Sequence, residues 1–157
     1  MKKILISMLV AISLQANTPT YDVNYKGMTL GEVTDLNTVH ELYLKAKVTS
    51  RIARFLLGRD YLVYYSGDKP NIKKAKFKKD KKMMLYAFSQ SLQERPAFKR
   101  YEISEIKNIT LTCKGKACEF VYYKNNQVDG KGEILFDESD NFVSIKETMS
   151  DFEIVRK

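Results

Sequence analysis

Tryptophan is absent from the 157 residues, histidine occurs once, cysteine twice and proline three times. A lone histidine, His40, cannot build a multi-histidine metal centre, and two cysteines are too few for a structural zinc cluster. No G-x-S-x-G elbow or comparable nucleophile motif accompanies His40, so no Ser-His-Asp constellation is legible. Gly130-Lys131-Gly132 is too short for a phosphate-cradling loop and lies inside a strand-like stretch. Beyond Leu14 no apolar run is long enough for a transmembrane helix, and no linker or internal repeat divides the chain. The sequence therefore offers no metal or cofactor motif and points to a non-enzymatic protein.

What is present begins with a leader. Lys2 and Lys3 give a positive start, Ile4 to Leu14 an apolar run of eleven residues, and Gln15-Ala16 a small residue at a cleavage position. This tripartite pattern predicts a cleavable secretory signal peptide over 1–16 and one β-rich domain over 17–157, periplasmic or secreted. No cysteine follows the run, which argues against a lipoprotein anchor. Removing Lys2 and Lys3 from the 27 basic residues leaves 25 against 19 acidic ones, a net charge of +6. An exported chain of this charge meets anionic envelope surfaces, lipid headgroups or polysaccharide, rather than nucleic acid.

Period-two alternation dominates the chain after the leader. Tyr21, Val23 and Tyr25 share one face against Asp22, Asn24 and Lys26, which predicts a half-buried strand. Glu32 to Val39 is expected to pair back on it, and Leu42 to Val48 to form a third strand. At Ser50 the period changes: Ile52, Ala53, Phe55 and Leu56 fit one helical face, with Ser50 as N-cap and Gly58 as the stop. Tyr61–Tyr65 reads as the next strand. Lys81–Glu94 carries Met84, Leu85, Phe88 and Leu92 at helical spacing, with Asp80 to cap it and Pro96 to end it. The same stretch would also serve a strand buried on both faces; its length and helix formers favour helix. Strand-like segments at 109–113, 118–124, 128–136 and 142–149, separated by Gly, Asn, Asp and Ser, predict a β-meander.

Three features carry chemistry. Cys113 and Cys118 flank the turn Lys114-Gly115-Lys116-Ala117, and a symmetric hairpin would place them opposite each other, so an oxidising compartment would join them. Lys69, Lys73, Lys74, Lys76, Lys78, Lys79, Lys81 and Lys82 crowd one stretch opposed only by Asp80. That run is either a solvated strand edge, where lysine discourages aggregation, or a dock for an anionic headgroup or acidic partner. Ten tyrosines and eight phenylalanines mark the strands, as ordinary sheet packing or as the lining of an apolar cavity.

The opening Tyr21-x-Val23-x-Tyr25-x-Gly27-x-x-x-Gly31 and the stretch Val48-Thr49-Ser50-x-Ile52-Ala53-Arg54-Phe55-Leu56-x-Gly58-Arg59-x-Tyr61 resemble an uncharacterised family of exported bacterial proteins, over roughly residues 20–80. The resemblance implies a strongly curved antiparallel sheet, similar to the LolA-like half-barrels of periplasmic lipoprotein carriers, and no activity. The expected fold is mainly β: a curved antiparallel sheet or incomplete barrel with one or two short helices on its concave side. Its core should hold Leu42, Leu44, Phe55, Leu56, Phe88, Phe120 and Phe136. Two functions compete: binding or carrying an apolar or amphipathic, lipid-like ligand, and scaffolding in the cell envelope through the lysine-rich segment.

Overall fold

The computed structural model describes residues 18–157, so the signal peptide expected over 1–16 lies outside the described residues. Eleven strands form one curved, unclosed sheet. The N-terminal half supplies β1 (Tyr21–Tyr25), β2 (Met28–Val33), β3 (Tyr43–Val48), β4 (Tyr61–Tyr65) and β5 (Ala75–Lys79). The C-terminal half supplies β6 (Lys99–Ser104), β7 (Lys107–Lys114), β8 (Ala117–Lys124), β9 (Gln127–Phe136), β10 (Phe142–Glu147) and β11 (Phe152–Arg156). Their order is β5-β4-β3-β2-β1-β11-β10-β9-β8-β7-β6, so the two halves join where β1 pairs with β11 and the edges fall at β5 and β6. All neighbours are antiparallel except β4 and β5, which run parallel.

Two helices accompany the sheet, α1 (Arg51–Leu57) and α2 (Met84–Gln93). Alternation explains the strands: Tyr21 and Val23 are buried while Asp22 and Asn24 are only half-buried, and Leu44, Ala46 and Val48 repeat the pattern. The stretch from 81 to 94 resolves as helix. Met84, Leu85 and Phe88 are fully buried against the concave face, with Phe88 and Phe142 ring centroids 4.3 Å apart. A Tyr86–Tyr101 edge contact at 5.6 Å ties α2 to β6. The N-cap of α2 is Met83, in a left-handed conformation (φ 54°), and not Asp80; the Asp80 carboxylate reaches the helix start from three residues further back, its Oδ2 accepting the Leu85 N–H at 2.8 Å and its Oδ1 the Lys82 N–H at 3.2 Å.

Several expectations need correcting. The second strand is Met28–Val33, not Glu32–Val39; Asn37–Glu41 instead forms a 3-10 helix, ending at Leu42 in a left-handed conformation (φ 58°). Phe55 and Leu56 are not core residues: they stand 88% and 70% exposed, because α1 turns the small Ala53 toward the protein. Leu42 is half-buried, whereas Leu44, Phe88, Phe120 and Phe136 lie in the core as expected. Ser50 caps α1, its Oγ accepting the Ala53 N–H at 3.3 Å, and Gly58 ends it at φ 61°. Cys113 and Cys118 oppose each other across β7–β8 and are disulfide-bonded. Among the described residues no helix is long and apolar enough to cross a membrane.

Candidate functional site

The lysines that are consecutive in sequence are spread along the β5 edge. Lys73 and Lys74 precede the strand beside the end of α1, where the Lys74 carbonyl accepts the Asp60 N–H at 3.2 Å. Lys76 and Lys78 pair with Leu62 and Tyr64 and so lie on their face of the sheet, and the Lys78 ammonium sits 4.5 Å over the Tyr25 ring. Lys79 closes the strand, and Lys81 and Lys82 lie in the turn that leads into α2. For part of its length the run is therefore a solvated strand edge, one of the two settings its composition allowed.

Its last three members have another setting. Sheet curvature carries Lys79, Lys81 and Lys82 to the far half of the molecule. There they line a concavity of about 490 Å³ together with Lys107 at the start of β7 and Lys124 at the end of β8. We call this concavity the mouth. Lys82 spans the gap, its ammonium donating to the Asp129 carbonyl and standing 3.7 Å from the Asp129 carboxylate. Gly130 makes room for it: a Cβ there would stand 2.9 Å from the Lys82 side chain. Ile103 and Met83 add apolar surface to the lining.

The charge balance is one-sided. Among the described residues Lys79, Lys81, Lys107 and Lys124 make no ion pair. Lys107 and Lys124 are direct cross-strand partners, an arrangement that like charges disfavour. Asp80 also lines the mouth, but its carboxylate faces inward and is 1% exposed. Both its oxygens are engaged, by the Ser66 hydroxyl at 2.6 Å, the Tyr64 hydroxyl at 3.4 Å and the backbone amides of Lys82 and Leu85. Burial pushes its carboxyl above the usual aspartate range, and these hydrogen bonds pull it only part of the way back. Burial likewise raises the hydroxyl of Tyr122, which lines the mouth, and that of Tyr64, which donates to Asp80 behind it. A positively charged rim over a neutral hydroxyl suits an anionic oxygen-rich group.

The sequence could not bring Lys107 and Lys124 to the lysine run, because only the sheet's curvature joins them. Lys124 ends a predicted strand, but Lys107 lies two residues before the strand predicted from Ile109, so the pairing of the two was not signalled. Several aromatics pack on one another, Tyr64 stacking on Phe152 at 4.8 Å and Tyr21 meeting Phe142 at 5.3 Å, while Tyr122 lines the mouth. His40 is exposed, and the Gln93 amide 3.4 Å from its Nδ1 is its hydrogen-bond partner. No family model, curated protein or solved structure matches the chain, so its function has to be read from this geometry.

Proposed function

We propose that the protein is an exported, non-enzymatic binding protein of the cell envelope that takes the phosphate or carboxylate of an amphipathic envelope molecule at the lysine-rimmed mouth. The observation that carries this reading is the convergence of four un-neutralised lysines from opposite halves of the sheet, with Lys107 and Lys124 held face to face. Electrostatic attraction supplies the affinity, and Met83 and Ile103 in the lining meet the apolar part next to the headgroup. Docking is favoured over carriage of a whole lipid, because Met84, Leu85 and Phe88 of α2 occupy the concave face where a carrier would hold acyl chains.

The test uses the purified protein and short-chain phosphatidylglycerol below its micelle concentration, titrated by calorimetry beside the matching phosphatidylcholine. The anionic lipid should bind at least tenfold more tightly, and Lys107→Gln/Lys124→Gln should lose at least tenfold of that affinity. The same variant should melt no lower than the parent, since the cross-strand repulsion it removes is worth roughly 0.2–1 kcal/mol. Equal binding of both headgroups, or an unaltered affinity in the double variant, would sink the proposal.

A further inference from the structure

The helix α1 inverts the usual amphipathic arrangement. Ile52, Phe55 and Leu56 lie at spacings i, i+3 and i+4, which puts them on one helical face, and they are 68%, 88% and 70% exposed. Ala53 alone among its residues is fully buried. Single exposed apolar side chains are ordinary, but three large ones side by side on a well-capped helix mark a contact surface. A surface of this kind forgoes hydrophobic stabilisation unless something covers it.

The surrounding charges say what covers it. Arg51 and Arg54 belong to the helix, and Arg59 follows it. Lys74 shares a shallow depression with Arg54 and Arg59, which also takes in Asp60. Arg54 is tethered by its guanidinium to the Val48 carbonyl at 3.1 Å, so the base of the helix is fixed to β3 while its apolar face projects. Among the described residues none of these cations makes an ion pair. A short apolar tip within a basic collar is the chemistry of an interfacial membrane contact: the apolar side chains enter the acyl boundary and the cations meet anionic headgroups. A second copy of the chain fits poorly, since docking tip to tip would oppose two basic collars.

We infer that α1 is a membrane-contacting element that inserts Ile52, Phe55 and Leu56 into the surface of an anionic lipid bilayer. This rests on the proposed envelope location but on other residues than the mouth, at the opposite end of β4, so the two ideas fail separately. The whole protein would be sedimented with vesicles of phosphatidylcholine alone and of phosphatidylcholine with about 30% phosphatidylglycerol, whose negative surface potential attracts basic residues. Binding should be at least tenfold tighter to the anionic vesicles. Phe55→Ser/Leu56→Ser should lose at least tenfold with an unchanged melting temperature, while still binding monomeric short-chain phosphatidylglycerol within twofold of the parent. Because the chain has no tryptophan, Phe55→Trp creates a single fluorophore whose emission should shift to the blue on anionic vesicles. No binding, equal binding to both vesicles, a Phe55→Ser/Leu56→Ser variant that binds like the parent, or an unshifted Phe55→Trp emission would each overturn the assignment. Loss confined to the Lys107/Lys124 variant would do so too, by moving the contact to the mouth.

Discussion

The Asp80 carboxylate loses its hydration on folding and exchanges it for the Ser66 and Tyr64 hydroxyls and the amides that open α2. Desolvation outweighs these bonds, so its folded pKa lies above the usual 3.8. Between about pH 4 and that raised value the native state holds a proton that the unfolded chain has released. Stability therefore falls as pH rises through this window and levels off above it. An Asp80→Asn variant has no such titration, although it gives up one acceptor oxygen. The expected result is that the unfolding free energy of the parent, measured in urea from pH 3.5 to 8, declines relative to that of Asp80→Asn as pH rises. A parent that gains on the variant over that range would show that the hydrogen bonds, and not burial, dominate at Asp80. At this scale the sequence was informative about the caps of α1, because Ser50 and Gly58 act through neighbours only a few residues away, whereas at α2 it put the cap at Asp80, three residues before Met83. It misled at Phe55 and Leu56, because their type and spacing are those of a core face and only the position of Ala53 decides which side of α1 is buried.

Among the elements, the β7–β8 hairpin is closed twice, by eight opposed residue pairs and by the Cys113–Cys118 bond. A loop this short restricts the unfolded chain only modestly, so its loss should lower stability by about 2 kcal/mol. Cys113→Ala/Cys118→Ala should therefore unfold at lower denaturant with an unchanged slope, and should keep the circular dichroism of the folded sheet. A loss of the folded spectrum would mean that the ladder depends on the bond for its register. The hairpin and the meander were legible because their alternation and turn residues are local. Three strands were not. In β5 the residues Lys76, Lys78 and Lys79 hide the alternation of Ala75 and Phe77, and the strand exists because β4 offers it a parallel partner. The edge strand β6 has no fully buried residue, so its half-buried Tyr101 and Ile103 carry only a faint pattern. In β11 a five-residue segment gains its place by closing β1 onto β10, a pairing across the whole length of the domain. Partners so distant leave no trace in a local period.

At the scale of the molecule, one basic segment feeds two separate cationic regions, Lys74 with the α1 collar and Lys79, Lys81 and Lys82 with the mouth. The five residues of β4 divide them, on the order of 15–20 Å at the usual rise per strand residue. This exceeds the screening length of about 8 Å at physiological ionic strength, and falls well within the roughly 30 Å that applies at 10 mM salt. In water each charge at that range contributes about 0.2 kcal/mol to the binding of a monovalent anion. Arg51→Gln/Arg59→Gln should therefore weaken short-chain phosphatidylglycerol at the mouth by about twofold at 10 mM salt and leave it unchanged at 150 mM. On this proposal the two regions would attract an anionic surface together at long range and bind it separately on contact, orienting the molecule before either region touches. An effect that persisted at 150 mM could not be carried by the field. It would require a conformational link running through β4 and β5, and the mouth and the collar would then be one site.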